Sequence, residues 1–543
     1  MTFRTFAFAA LLITASPAAA SVAPPPSTQD ASAAIEKYGP IENLSLFELA
    51  DGIDDGLLNS EAIVAAYLKR IAEIDDAGPT LNAVIATFPD ALDQARAMDA
   101  EIKAGKYRGP LHGLPILLKD NIEAKGDLPT TAGSLALKGN ITQRDAPMVA
   151  RLREAGAVIL GKTNLSEWAN IRSDDSTSGW SAIGGLTKNP HALDRNTCGS
   201  SAGSGAAMAA GLAAATIGTE TNGSIVCPSS VNGIVGFKPT VGLVSRTHIV
   251  PISHTQDTAG PMTKTVLDAA ILLTAMAGTD PADSATKDAD TWRGDYANGL
   301  RGGDLKNARI GILRDEVGDN AGVAELFDQA VAQMKAAGAV IVEIADSGIG
   351  LDSNVGRDEG ILLFGELKYD MAAYLQSLPA GLVPHKNLAD LIAFNAANPD
   401  TELQYFDQSG FERGEATTLS KEELQQLADS LTQRVNDHIN RLLVTHKVDF
   451  LVQPTNGPAW LSALGKGDDF TGPSASSLAA IAGAPHLTVP MGAVGGLPVG
   501  ISFTGARWHD HAVLKVGYAY EQISNARVTP TYAASIEPPK PVE

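Results

Sequence analysis

A lysine at the end of an apolar run is the first residue of this chain suited to catalysis. Lys119 follows Leu114–Leu118, and this run predicts a buried strand. Site residues commonly emerge where such strands end. Burial disfavours the charged form of an amine, so a lysine in that place can act as a general base. We therefore expect Lys119 to activate a nucleophile.

Two serine-bearing segments lie on either side of one apolar stretch and could supply that nucleophile. The segment 199–204 reads GSSAGS, and the segment 218–224 reads GTETNGS. A serine nucleophile needs a base within hydrogen-bond reach and backbone donors for the developing oxyanion. An Asn-Gly turn tolerates left-handed backbone, so it can direct consecutive N–H groups towards one point. The predicted site residues are Lys119, Ser200 and Ser224, with an oxyanion hole formed by the backbone of Thr221, Asn222 and Gly223.

The first segment also offers a rival nucleophile. Residues 199–203 match the pattern G-x-S-x-G, in which Ser201 would be the reactive serine at a sharp strand-to-helix turn. That interpretation needs a strand directly before Gly199, with an acid and a histidine further along the chain. The preceding segment, Asn189–Cys198, is polar and contains a proline, which makes a poor buried strand. We therefore favour Ser224 over Ser201.

Composition indicates a globular protein and argues against two classes of partner. The chain has 543 residues, of which 44% are hydrophobic, and its formal net charge is −21. A strongly acidic chain is a poor ligand for nucleic acid or for an anionic membrane surface. We expect no nucleic-acid partner, no membrane association of the mature chain, and no metal or cofactor, because no metal-binding or phosphate-binding motif is present. The oligomeric state is open, and a monomer is plausible.

The N-terminal segment has the features of a secretory signal. Residues 1–20 combine Arg4, an apolar core and a run of alanines before a cleavage point near Ser21. The apolar core is too short to span a membrane, although an uncleaved anchor is the alternative. Residues 21–42 read as a linker and N-terminal arm. We expect a periplasmic or secreted protein, in which Cys198 and Cys227 form a disulfide or remain two buried thiols.

Alternating helices and strands predict an α/β fold in one large domain over residues 43–543. Strands are expected at Leu114–Lys119, Val158–Leu160 and Arg309–Leu313, with helices between them. A helix of small residues is expected at Ala206–Ala214, next to the two serine segments. The region at about 350–445 is more polar and mostly helical, so we interpret it as an insertion or a lid.

Several ordered motifs resemble the amidase signature family. They include GLP before Lys119, the segment GKTN at 161–164, the two serine segments, and GFKPT at 236–240. The resemblance extends over roughly residues 44–522. It implies a single domain with a central mixed β-sheet covered by helices. It also implies a Ser-Ser-Lys triad with Lys119 as base, Ser200 as a bridging serine after a cis peptide bond, and Ser224 as nucleophile, and it places Asn170 in the substrate site.

The chain departs from the common family pattern beside the proposed nucleophile. Where the family usually has Asp-x-Gly-Gly-Ser-Ile-Arg, this chain has Glu220 and Val226 in place of the Asp and the Arg. A charge contact near Ser224 is therefore expected to be rearranged. This version of the motif resembles most the family members that remove the C-terminal amide of peptides. The alternatives are a broad aryl or alkyl amidase, an A-type component of an amidotransferase, and a non-catalytic binding protein.

Overall fold

A mixed β-sheet of eleven strands runs through the computed structural model, which describes residues 36–348 and 353–536. The order of its strands is β1-β3-β2-β6-β8-β7-β12-β13-β11-β9-β10, and β4 pairs separately with β5. The strands are β1 Val84–Thr87, β2 Pro115–Lys119, β3 Val158–Thr163, β4 Trp180–Ser181, β5 Gly185–Leu186, β6 Ala215–Glu220, β7 Val235–Lys238, β8 Thr258–Thr263, β9 Arg309–Leu313, β10 Val340–Ile344, β11 Phe450–Pro454, β12 His486–Val494 and β13 Leu497–Thr504.

Helices cover this sheet, and together they confirm the predicted α/β architecture. Apolar side chains from both the sheet and the helices form one large core. The α-helices of the described residues are α1 Leu46–Asp54, α2 Ser60–Arg70, α3 Ala91–Lys103, α4 Pro147–Glu154, α5 Ala202–Ala209, α6 Val226–Val231, α7 Val266–Met276, α8 Ala289–Trp292, α9 Ala321–Ala336, α10 Ser353–Ser377, α11 Leu388–Ala397, α12 Pro399–Glu402, α13 Ser409–Glu415, α14 Lys421–His446, α15 Ser476–Ala482 and α16 Asp510–Ser524.

The sheet brings the predicted lysine to the second serine segment. Strand β2 pairs in parallel with β6, and Leu118 is in register with Ile217. Because parallel strands end at the same edge of a sheet, Lys119 at the end of β2 lies beside Thr219 and Glu220 at the end of β6. The predicted strand before Lys119 is therefore confirmed.

The helix of small residues begins four residues earlier, and ends five residues earlier, than predicted. We expected Ala206–Ala214, whereas α5 spans Ala202–Ala209 and β6 begins at Ala215. Gly203, in the first turn of α5, packs closely against neighbouring backbone. A Cβ atom on Gly203 would lie 2.3 Å from the carbonyl oxygen of Ala83, so only glycine fits there.

The region at about 350–445 is helical, as the sequence indicated. Helix α10 packs against α13 and α14, and it buries Leu362 in one apolar cluster and Leu367 in another. The second of these clusters includes Trp168, which belongs to the loop before the first serine segment. The division of the chain into signal, arm and domain stays a prediction.

The predicted signal, residues 1–20, lies outside the described residues. Within 36–348 and 353–536, no helix combines the length and the apolar character that a membrane span requires.

Candidate active site

Lys119 is completely buried and contacts the first serine segment directly. Its Nζ lies 2.8 Å from the Ser200 Oγ and 2.8 Å from the Thr219 Oγ1. Burial lowers the pKa of Lys119 to about 7, and the negative charges of Asp257 and Glu220 oppose that shift. A lysine with this pKa is substantially neutral near pH 7, so it can accept a proton.

The two serines of the first segment have different partners. Ser200 follows a cis peptide bond after Gly199, as the family resemblance implied, and its hydroxyl faces Lys119. The Ser201 hydroxyl donates to the carbonyl of Thr219 at 3.0 Å and accepts from the N–H of the same residue at 3.2 Å. Because Ser201 is fully buried and bonded to strand β6, it is poorly placed to attack a substrate.

The second serine segment forms a turn next to the first. The Ser201 N–H donates to the carbonyl of Ser224 at 3.2 Å, so the two segments are in direct contact. Ser224 is 8% exposed, and its hydroxyl has no hydrogen-bond partner in the described part of the chain. Within the same residues, the N–H groups of Asn222, Gly223 and Ser224 donate to no acceptor. Gly223 has φ +85°, a backbone conformation that favours glycine.

The Glu220 carboxylate accepts hydrogen bonds from the backbone that follows this turn. Its Oε2 accepts hydrogen bonds from the N–H of Ile225 at 2.7 Å and from the N–H of Val226 at 3.0 Å. One carboxylate therefore satisfies the two N–H groups that follow Ser224, while the N–H groups of residues 222–224 stay available. The expected rearrangement of a charge contact near Ser224 stays a prediction.

A disulfide joins the two serine segments. Cys198 and Cys227 are bonded, with Cα atoms 5.9 Å apart, and this settles the alternative that the sequence left open. Cys198 lies two residues before Ser200, and Cys227 lies three residues after Ser224. The bond packs against Trp460 in a small apolar cluster. It therefore fixes the two serine segments relative to each other.

Sequence reasoning missed two polar residues that support the site. The Asn121 side chain donates to the Thr219 Oγ1 at 2.9 Å, beside the Lys119 contact. The Asp257 carboxylate accepts from the Thr221 hydroxyl at 2.6 Å, and burial raises its pKa to about 6. Asn121 could have been found from its place two residues after a strand-ending lysine. Asp257 lies in a turn-rich stretch before β8 and carries no comparable signal.

Two cavities open beside the serine segments. One of about 200 Å³ is lined by Asn170, Gly199, Asn222 and Trp460, so Asn170 lies near the predicted site. The Nδ2 of Asn170 donates to the Ser178 Oγ at 2.9 Å. Another cavity, of about 440 Å³, reaches Asn121, Thr219 and Thr221. Ser224 itself lines neither cavity, although its neighbour Gly223 lines the smaller one.

One group of side chains in the described residues has the composition of a metal site. Ligand atoms of His254, Glu366 and Asp370 lie within 4.8 Å of one another. Each of these side chains already holds the loop 253–255 or a partner in the group by hydrogen bonds.

Comparison with known proteins defines the class. The amidase family model matches residues 62–514, and a probable amidase of Arabidopsis thaliana is 38% identical over 91% of this chain and 92% of its own length. The chain therefore belongs to the amidase signature family. It is a hydrolase that acts on amides.

Individual relatives are of more than one kind. The peptide amidase of Stenotrophomonas maltophilia has a similar structure, with a TM-score of 0.84 and 44% identity over 91% of this chain and 99% of that chain. A glutamyl-tRNA(Gln) amidotransferase subunit of Synechococcus is 34% identical over 86% of this chain and 89% of its own length. Similarity therefore defines the family of this chain but not its substrate.

Proposed function

We propose that this enzyme hydrolyses the C-terminal carboxamide of peptides and releases ammonia and a free carboxylate. Lys119, Ser200 and Ser224 are the proposed triad. The observation that carries the proposal is the buried 2.8 Å contact between the Lys119 Nζ and the Ser200 Oγ, next to a turn with unpaired N–H groups. A lysine with a pKa of about 7 suits a general base at neutral pH.

The first half of the proposed reaction forms an acyl-enzyme. Neutral Lys119 accepts the proton of Ser200. The Ser224 hydroxyl, which has no partner in the described residues, turns towards Ser200 and gives it a proton, and the Ser224 Oγ attacks the amide carbon. The backbone N–H groups of Thr221, Asn222, Gly223 and Ser224 stabilise the negative charge that develops on the carbonyl oxygen. The relay then returns the proton to the nitrogen as the carbon–nitrogen bond breaks. This proton is needed because an amide anion is a very poor leaving group, and it lets the nitrogen depart as ammonia.

The second half uses water. A water molecule gives a proton to the same relay and attacks the ester carbon of the acyl-enzyme. The bond between that carbon and the Ser224 Oγ breaks, Ser224 recovers its proton, and the carboxylate product leaves. In each half of the reaction Lys119 accepts a proton and later returns it. A lysine whose pKa lies near the working pH can do both.

The cavity beside Asn170 supports a peptide as substrate. Trp460 and Phe470 stand edge to face on its wall, with ring centres 5.3 Å apart, and they offer an apolar surface. Asn170 and Asn456 add polar groups to the same wall. A peptide presents both backbone amides and a side chain, and this mixture of wall groups suits both. The likeness to a peptide amidase points to the same substrate class.

Ammonia release tests the proposal directly. An amidated peptide, the same peptide as its free acid, an acyl anilide and free glutamine are each incubated with the enzyme and with the Ser224→Ala variant. We expect ammonia from the amidated peptide only, and none from the variant. Release of aniline with no ammonia from the peptide would favour a broad aryl amidase, and hydrolysis of glutamine alone would favour an amidotransferase-type component. Release from no amide would favour a binding protein.

We also propose that the enzyme acts outside the cytoplasm. The composition of residues 1–20 and the disulfide between Cys198 and Cys227 both support export, because disulfides persist in oxidising compartments. Fractionation of expressing cells, with mass spectrometry of the mature N-terminus, tests this. A product starting near Ser21 in the exported fraction is expected. Full-length protein in the cytosol would contradict export.

A further inference from the structure

One face of helix α10 carries three carboxylates that hold a loop next to the turn at residues 221–224. We call this turn the serine turn. They are Glu359, Glu366 and Asp370, and their spacing of seven and four residues places them on the same side of a helix. We call these three residues the acidic face of α10. Each of them accepts hydrogen bonds from the loop 253–256.

Two members of the acidic face, Glu366 and Asp370, hold this loop in place. The carboxylate of Asp370 accepts from the His254 N–H at 2.8 Å and from its Nδ1 at 2.9 Å. Glu366 is almost fully buried and accepts from the hydroxyl of Thr255 at 2.5 Å and from that of Ser253. The loop leads directly to Asp257, which holds the Thr221 hydroxyl. Helix α10 is thus connected to the serine turn through short polar contacts.

Glu359 reaches the serine turn itself. Its Oε1 accepts from the Asn222 Nδ2 at 2.8 Å and from the Gln256 Nε2 at 3.0 Å. The same Gln256 amide also donates to the carbonyl of Thr221 at 3.3 Å. The Oδ1 of Asn222 accepts from the Ser476 hydroxyl at 2.6 Å. The Asn222 side chain is therefore held between α10 on one side and α15 on the other.

We infer that Glu359 is a positioning residue for the oxyanion hole, and that helix α10 holds the serine turn in a fixed conformation. We call this role of α10 the brace. The inference rests on the proposed function, because it concerns the turn that would bind the developing oxyanion. Glu359 touches no reacting atom. It acts by holding the Asn222 side chain, and so it fixes the direction of the N–H groups of residues 222–224. Fixed donors stabilise a transition state more than mobile ones, because they need no reorganisation during the reaction.

Two substitutions at Glu359 and one beside it test the brace. Glu359→Ala removes the acceptor, Glu359→Gln keeps a carbonyl oxygen in the same place, and Asp358→Ala is the matched control. Asp358 is the neighbouring carboxylate, and its partners are Arg357 and Arg434 rather than the serine turn. We expect Glu359→Ala to lower kcat by roughly 10-fold with KM within about 3-fold, since the contact acts on the transition state. Glu359→Gln should recover most of this loss, and Asp358→Ala should match the wild type.

A tetrahedral analogue separates positioning from general packing. A peptide aldehyde adds to a serine nucleophile and places its oxygen where the oxyanion develops. Its affinity should fall in Glu359→Ala by the same factor as kcat/KM, while the affinity for the free-acid product stays unchanged. Equal losses for aldehyde and product, or a kcat equal to that of Asp358→Ala, would overturn the inference.

Amide hydrogen exchange tests the brace without any activity. Residues 219–226 should exchange faster in Glu359→Ala than in the wild type or in Asp358→Ala. If the wild type hydrolyses no amide, the proposed function fails while this comparison still decides about the brace. The Asn222 side chain also donates to the Ser477 hydroxyl at 3.2 Å and accepts from Ser476. Ser476→Ala removes the hydrogen bond to the Asn222 Oδ1 and should produce the same local change, so it replaces Glu359→Ala if that variant does not fold. Unchanged exchange in the folded variant would contradict the brace.

Discussion

The Lys119 Nζ and the Ser200 Oγ lie 2.8 Å apart, and both residues are fully buried. The amine also contacts Thr219, which holds it at the end of strand β2. The strand pairing between β2 and β6 creates this geometry, since it brings the lysine to the serine turn. The proposed chemistry follows from one consequence of this burial, which is a pKa of about 7 for the lysine.

Activity should therefore increase with pH through about 7. The neutral amine is the proposed base, so kcat/KM should rise about tenfold per pH unit below the midpoint and level off above it. Initial rates of ammonia release between pH 5 and 9 measure this profile. His254→Gln is the control, because His254 is a titratable side chain in the cavity that also reaches Thr219 and Thr221. A midpoint that moved in this control would assign the essential proton to the histidine.

The lowered pKa of Lys119 also affects the free energy of unfolding. An unfolded lysine titrates near 10.5, so between pH 7 and that value the unfolded state binds more protons than the native state. The contribution of Lys119 to the free energy of unfolding therefore increases with pH over this window. Lys119→Met removes this contribution and should be more stable than the wild type near pH 7. Urea denaturation at pH 7 and pH 9 measures the free energy of unfolding of the wild type and of Lys119→Met. A variant less stable than the wild type at pH 7 would contradict the claim that burial of the charged lysine costs stability.

Two adjacent serines should behave differently when each is replaced by alanine. Ser200→Ala interrupts the proposed relay and should lower kcat by roughly 10³-fold or more. Ser201→Ala removes hydrogen bonds to the backbone of Thr219 and should cost about 1 kcal/mol of stability while leaving most activity. Steady-state kinetics and thermal unfolding of both variants test this. The reverse order of activities would favour Ser201 as nucleophile.

Glu220 should matter for the stability of the serine turn. Glu220→Ala leaves the buried N–H groups of Ile225 and Val226 without an acceptor, so it should lower the free energy of unfolding by roughly 1–3 kcal/mol. Glu220→Gln keeps an oxygen acceptor and should lose less. Urea denaturation measures both, with the exposed Glu325→Ala as a control that should change stability by less than about 0.5 kcal/mol. Equal losses in the alanine and control variants would show that the turn is held by other contacts.

The disulfide should stabilise the fold measurably. Cys198 and Cys227 are 29 positions apart, and closing a loop of this size typically contributes about 2–4 kcal/mol. The double variant Cys198→Ser/Cys227→Ser should lose this amount in urea denaturation. A reductant should bring the wild type to the same midpoint and leave the double variant unchanged. A reductant effect of equal size on the variant would contradict this assignment.

The sequence predicted the parts of the site that depend on local pattern. An apolar run ending in Lys119 indicates a buried strand, which the structure contains. The roles of Ser200 and Ser224, which the family motifs imply, stay predictions. It also indicated alternating strands and helices, although α5 begins at Ala202 rather than at the predicted Ala206. The close packing of Gly203, which allows the helix to start there, depends on the fold.

The residues that the sequence missed depend on long-range contacts. Asp257 and Glu359 reach the serine turn across 36 and 137 positions of the chain, and nothing in their neighbourhoods marks them. The interpretation of the region at about 350–445, which includes α10, as an insertion or a lid stays a prediction. The acidic face of α10 is visible as a spacing of carboxylates, but the loop that it contacts is defined only by the fold.

Identification of the acylated residue tests the central claim most directly. The enzyme is mixed with an ester analogue of the peptide amide, quenched with acid within milliseconds, and digested for mass spectrometry. The account predicts the acyl mass on the peptide that contains Ser224 in the wild type, and none in Ser224→Ala or Lys119→Met. Acyl on Ser200 or Ser201, or an undiminished signal in Lys119→Met, would contradict it.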